Sequence, residues 1–184
     1  MVSAWYARRM TSKDVFEQIT HGGATDFARI IAWCEASGGY CLIGGLAVNC
    51  YVEPVYTLDA DLVVSTAQLG RFRARGVAEG FVVEDFEHSL NIQAPASDLR
   101  IQFTKDTRYQ DFVTRAVTKE IFGVSVRVAA LPDLLQGKIW AWEDATRRLS
   151  KRQKDQADLV RIVESYPELS TRLPSAVQQL FEKK

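Results

Sequence analysis

Residues 41–64, CLIGGLAVNCYVEPVYTLDADLVV, decide how this chain is read. An apolar run ends in Gly44-Gly45, a short amphipathic segment follows, and Asp59-Ala60-Asp61 opens a second apolar run. Side chains alternate along an extended chain, so aspartates at i and i+2 of a strand point to one face. Two adjacent carboxylates repel each other unless a cation or a proton sits between them. Gly-Gly ahead of a helix lets backbone N–H groups come close to an anion. Together these parts describe a site for a metal-bound phosphate. Each has a plainer alternative: an isolated DxD at a strand edge, and a tight strand–helix turn without ligand. The pairing of the two features is what favours a site.

The flanking sequence reads as a mixed α+β domain. Residues 13–20 and 25–37 have helical spacing, with Phe27, Ile30, Ile31 and Cys34 on one face and Gly38-Gly39 as the stop. Residues 40–43 read as a short buried strand, 46–52 as a helix and 58–65 as a strand. A helix over 67–78 carries Arg71, Arg73 and Arg75. Strands follow over 81–85, 89–94 and 99–104, then a helix over 108–117 and a final strand over 124–128. Residues 1–10 read as an arm. After Leu131-Pro132 the pattern is helical only, over 133–149, 151–166 and 175–184, with Ser150 and Gln153 spaced as a capping box. The expected division is an α/β core over 1–130 and a helical segment over 131–184 that closes the cleft.

Bulk properties agree with a single folded unit. The chain has 184 residues, 47% of them hydrophobic and 25% charged, enough for a substantial core. Lys+Arg and Asp+Glu both total 23, which excludes a wholesale basic coat for nucleic acid but leaves room for a local patch. Cys34, Cys41 and Cys50 have no CxxC spacing and lie in apolar context, as buried free thiols do. No apolar run reaches membrane-span length and the N-terminus lacks a signal-peptide core, so a soluble, cytoplasmic protein is expected. His21 and His88 are isolated, and no GxxxxGK[ST] occurs.

Asp59 and Asp61 have the spacing of metal ligands. A further carboxylate is expected from a neighbouring strand on the same face. Asp98 is the candidate, at the entrance of the 99–104 strand; a turn or cap aspartate is the alternative. Arg100, two residues on, suits phosphate oxygens, or pairs with Asp59 or Asp61 and takes the place of a metal. Lys138 and Lys154 are candidate phosphate contacts. Asp155 and Asp158 share a helix face, and their i, i+4 lysines Lys151 and Lys154 suggest a solvated ion-pair surface. Arg147, Arg148, Lys151, Arg152 and Lys154 place five cations within eight residues, suited to an RNA backbone or to triphosphate, or an exposed helix corner. Trp140 and Trp142 are too close in sequence for both to face one core stripe.

Two separated blocks resemble the AbiEii-type, MenT-like minimal nucleotidyltransferases. Gly44-Gly45 with Asp59-Ala60-Asp61 matches that group's first motif. Leu131-Pro132-Asp133-Leu134-Leu135 with Lys138, and Lys154-Asp155-Gln156-Ala157-Asp158, match its later motifs. The resemblance implies a polymerase-β-like nucleotidyltransferase fold, with a mixed sheet flanked by helices and a helical tail. It implies Mg2+, a nucleoside triphosphate, transfer to a tRNA or protein acceptor, a toxin role with an antitoxin partner, Lys138 near phosphate, and Asp158 as a supporting residue. Two positions depart from the pattern. Val55 stands where many relatives have arginine, and Asp98-Leu99-Arg100-Ile101-Gln102 stands where many have a strand aspartate. Both changes alter charge handling, so a non-catalytic nucleotide-binding or protein-interaction relative is the second expectation.

Overall fold

A computed structural model describes residues 11–182; the N-terminal arm reading lies outside them. The elements run α1 (Ser12–Ile19), α2 (Gly23–Ser37), β1 (Tyr40–Ile43), α3 (Gly44–Val48), β2 (Asp59–Val64), α4 (Leu69–Ala78), β3 (Val82–Asp85), β4 (Ser89–Gln93) and β5 (Arg100–Thr104). They continue with α5 (Phe112–Arg115), β6 (Val117–Ile121), β7 (Val124–Val128), α6 (Leu131–Glu143), α7 (Leu149–Ser165) and α8 (Ser175–Glu182). Among the described residues seven strands form one mixed sheet in the order β3-β4-β5-β2-β1-β7-β6. The β2–β5 and β1–β7 pairs are parallel and the other four are antiparallel. This is the expected α+β architecture, a mixed sheet flanked by helices.

The centre of the sheet follows from its residues. Every side chain of β1 is buried, as a strand covered on both faces requires. In β2, Ala60 and Leu62 are fully buried while Asp59 and Asp61 alternate to the other face, partly open. Helices α6 and α7 contribute Leu134, Leu135, Leu159 and Ile162 to the same buried cluster as Leu42 and Leu62. Both helices pack on α3, the helix that follows β1 directly. No helix among the described residues is long and apolar enough to cross a membrane. Cys34 and Cys41 are buried free thiols and Cys50 is half-buried; burial pushes Cys41 up to about 12 and Cys50 to about 11.

Three local expectations need correction. The helix over 108–117 is a 3-10 turn at Thr107–Tyr109 and a single turn, α5; the chain then forms β6. Strand β6 pairs with β7 through the two-residue loop Phe122-Gly123, both at positive φ (52° and 78°), the geometry of a type I′ hairpin. Phe122 is held there by stacking on Phe16 at 4.1 Å between ring centroids. Helix α6 ends at Glu143, six residues short of the expected stop, because Asp144 accepts hydrogen bonds from the backbone N–H and hydroxyl of Thr146 and turns the chain. Helix α7 starts at Leu149, which puts Ser150 inside its first turn, so the Ser150–Gln153 capping box does not form.

Candidate functional site

Gly44 and Asp61 are locked to each other. Asp61 faces Ile43 across the antiparallel β1–β2 ladder, so the next residue of β1's path, Gly44, lies against its side chain. A Cβ at Gly44 would sit 2.0 Å from Asp61 Oδ2, and Gly44 has φ +74°. Both facts demand glycine. Gly45 is different: a Cβ there would meet nothing nearer than Thr57 Oγ1 at 3.8 Å and Asp158 Oδ2 at 4.0 Å. The two glycines open the short helix α3 rather than preceding it. Although Asp61 keeps a partial opening to solvent, burial pushes its carboxyl up to about 6. Lys138 opposes that rise and Asp59 adds to it.

Asp59 is held by cations on both sides. Arg100 lies directly opposite it on the parallel strand β5 and brings Nε to 2.7 Å from Oδ1. Lys151, from α7 across the cleft, brings Nζ to 3.3 Å from Oδ2. Gln102 stands opposite Asp61 in the same register. The β5 positions beside the two aspartates are therefore a guanidinium and a carboxamide. Asp98 is not brought to the pair. Its Oδ2 lies 2.7 Å from His21 Nδ1, with both side chains largely exposed, and its N–H donates to the Thr20 carbonyl. The Asp98 side chain therefore makes a surface pair with His21 rather than a turn or helix-cap hydrogen bond.

Lys138 organises a second cluster. Its Nζ lies 2.6 Å from Asp158 Oδ2 and 2.9 Å from Asp155 Oδ1, and all three side chains are buried. Arg147 adds a contact to Asp155 at 3.2 Å. Arg161 reaches Asp158 at 2.7 Å and Asn49 at 2.9 Å, and donates to the Glu53 carbonyl. Burial alone would lower the Lys138 ammonium, but the Asp158 and Asp155 carboxylates outweigh it and hold it above the ordinary lysine value. The expected solvated pairs of Asp155 with Lys151 and Asp158 with Lys154 do not form. The aspartates turn inward to Lys138, and Lys151 turns to Asp59.

Two hollows meet over Asp61. The smaller, about 460 Å³, carries six cations, Lys138, Arg147, Arg148, Lys151, Lys154 and Arg161, against four aspartates. Among the described residues Arg148 and Lys154 form no ion pair, which leaves their charge free for a ligand. The larger, about 930 Å³, has an aromatic wall. Trp140 stacks on Phe112 at 5.7 Å, meets Tyr109 edge-on at 5.5 Å, and lies beneath the Arg108 guanidinium at 5.0 Å. Trp142 is partly buried, and its carbonyl accepts from Arg152 Nε. Asp61, Gln102, Lys138, Arg147, Arg148 and Asp155 line both hollows, and Lys105 and Arg108 add positive charge to the larger one.

The donor set decides what cation fits. Mg2+ is usually held by one or two carboxylates with phosphate oxygens completing its shell. Asp59 and Asp61, neighbours on one face of β2, fit such a shared ion. An all-protein cage does not fit: among the described residues no three His, Cys, Asp or Glu side chains gather to hold a metal. Sequence reasoning passed over Asn49, Gln102 as a lining residue, and Arg161. The i, i+3 spacing of Asp158 and Arg161 was a usable signal; nothing local marks Asn49.

No protein-family model matches the chain, and no curated protein does. Solved structures share its fold. The solution structure of the antibiotic-resistance factor ANT(2'')-Ia superposes with a TM-score of 0.58 at 15% identity, over 86% of this chain and 90% of that one. The lincomycin-bound lincosamide antibiotic adenylyltransferase LnuA gives 0.51 at 10% identity, over 75% and 96%. An antigenic nucleotidyltransferase-like protein from Paracoccidioides brasiliensis gives 0.51 at 16%, over 84% and 95%. The chain has the nucleotidyltransferase fold.

Proposed function

We propose that this chain is a nucleotidyltransferase that moves a nucleotide from a nucleoside triphosphate to an acceptor hydroxyl. The observation that carries the reading is Asp61, with Asp59 beside it, at the junction of a cation-lined hollow and an aromatic-walled one. Triphosphate occupies the first, where Lys154 has charge to offer, Arg148 stands at the border with the second, and Gly45 leaves the backbone uncovered. The acceptor occupies the second. Its hydroxyl oxygen bonds to the α-phosphorus, the bond to the β-phosphate oxygen breaks, pyrophosphate leaves with that electron pair, and the hydroxyl proton passes to water. Mg2+ held between Asp59, Asp61 and phosphate oxygens would neutralise charge on the transferring group. Lys138 fixes Asp155 and Asp158 and supplies positive charge next to Asp61.

The motif correspondences of Lys138, Lys154 and Asp158 support an AbiEii-like enzyme within this fold, with a tRNA or protein acceptor and an antitoxin partner. Growth arrest on expression, relieved by the product of an adjacent gene, tests that part. ANT(2'')-Ia is solved with adenylyl-2''-tobramycin and LnuA with lincomycin, which makes a small hydroxyl-bearing acceptor the alternative for the same hollow. One observation favours a second reading, a nucleotide-binding relative without catalysis: Arg100 and Gln102 occupy the β5 positions beside Asp59 and Asp61. Label transfer from α-labelled nucleoside triphosphates to an RNA pool, a protein extract or hydroxylated antibiotics separates the readings. Mg2+-dependent transfer that Asp59→Asn abolishes supports the enzyme. Nucleotide binding without transfer supports the second reading.

A further inference from the structure

We propose that Arg100 is a built-in counter-ion that competes with divalent metal for Asp59, so that the carboxylate pair admits a metal only when phosphate draws the arginine away. The inference rests on the reading of Asp59 and Asp61 as carboxylates that face a metal-bound triphosphate. Both oxygens of Asp59 are engaged, Oδ1 by Arg100 at 2.7 Å and Oδ2 by Lys151 at 3.3 Å. Arg100 and Lys151 together balance the two negative charges of Asp59 and ionised Asp61, so the pair offers a bare divalent cation no net attraction. Gln102 gives Asp61 a neutral neighbour, so no third carboxylate on β5 tips that balance towards a cation.

The two cations differ in how they are held. Arg100 projects from the strand position directly beside Asp59, so backbone hydrogen bonding fixes its base whatever the helices do. Its side chain is 57% exposed and has room to swing. Lys151 comes from α7, across the cleft. A polyphosphate offers both cations a stronger partner than one carboxylate, the guanidinium above all, because its fork matches phosphate oxygens. Moving Arg100 to phosphate frees Asp59 Oδ1 at the moment a metal-bound phosphate arrives. Metal and triphosphate then bind with positive coupling, each raising the affinity for the other by the same factor.

Titration of Mn2+ into the metal-free protein, followed by loss of the free-ion paramagnetic resonance signal, reads the competition without any turnover. Arg100→Gln is expected to bind Mn2+ at least tenfold more tightly than wild type, Arg100→Lys to stay within about threefold of wild type, and Arg100→Gln with Asp59→Asn to lose the gain. Arg100 lies on the surface, and matching thermal melts confirm that the variants are folded. Equal Mn2+ affinity in wild type and Arg100→Gln, at any strength, overturns the proposal. A tenfold gain in a protein that transfers no label upholds the counter-ion role while sinking the enzymatic reading, so the two failures are distinct.

Discussion

Replacing Gly44 by alanine sets a methyl group 2.0 Å from Asp61 Oδ2, 2.8 Å from its Cγ and 3.0 Å from its Cβ. Two costs add. A non-glycine residue in the left-handed region costs roughly 1–2 kcal/mol, and forcing a methyl into filled space costs roughly 1–3 kcal/mol more. The sum, about 2–5 kcal/mol, is a large part of the roughly 5–15 kcal/mol that holds a domain folded. For a chain of this size it corresponds to a melting point lower by about 5–20 °C. The clash falls on Asp61 itself, so the folded fraction should also lose nucleotide binding. Gly45→Ala is the control. Its methyl meets only ordinary contacts, and alanine in a helix is up to ~1 kcal/mol better than glycine, so stability should be unchanged or slightly raised. Calorimetric melting of the two variants beside wild type makes the comparison. Equal melting points for Gly44→Ala and Gly45→Ala would mean that Gly44 is not wedged against Asp61.

Lys138→Met leaves Asp155 and Asp158 buried with only Arg147 and Arg161 as partners, and should cost about 3–5 kcal/mol by chemical denaturation. Because Lys138 titrates above the ordinary lysine value, its contribution should persist through neutral pH and fade only as pH rises through that raised value. Asp61, pushed up to about 6 mainly by burial, works in the opposite sense: its ionisation destabilises the fold as pH rises from about 4 through 6. Asp61→Asn should therefore stabilise the ligand-free protein by about 1–3 kcal/mol at pH 8 and by nothing at pH 3, measured by denaturation at both values. Asp98→Asn should change stability by less than ~1 kcal/mol and leave label transfer unaltered, since the carboxylate is bonded to His21 at the surface; a hundredfold loss of transfer would place it in the site.

The stretch over residues 41–64 was readable because its signals are local. An apolar run, a Gly-Gly pair ahead of a short helix, and an alternation that puts two aspartates on one face need no knowledge of distant residues. Strand β6 was missed for the opposite reason. It is an edge strand in which only Ile121 is buried, so Thr118, Lys119 and Glu120 give it no apolar stripe, and its pairing partner carries the visible pattern. Asp155 and Asp158 misled in another way. Lysines four residues before each match a solvated helix surface, and only a third lysine, on a different helix, turns the face inward. The position of Arg100 was legible as an outward residue of β5. That it meets Asp59 depends on the β2–β5 register, which no local signal sets.

Asp59 and Asp61 are proposed to mark the place where a triphosphate meets its acceptor. The most direct measurement is a structure of the protein with Mg2+ and a nucleoside triphosphate analogue that cannot be cleaved between the α- and β-phosphates. The phosphates are expected in the hollow between Gly45, Lys151 and Lys154, with the α-phosphorus beside Asp61 and the aromatic-walled hollow still open. A triphosphate bound elsewhere, or bound with Asp59 still paired to Arg100 and no metal between the two aspartates, would contradict that assignment.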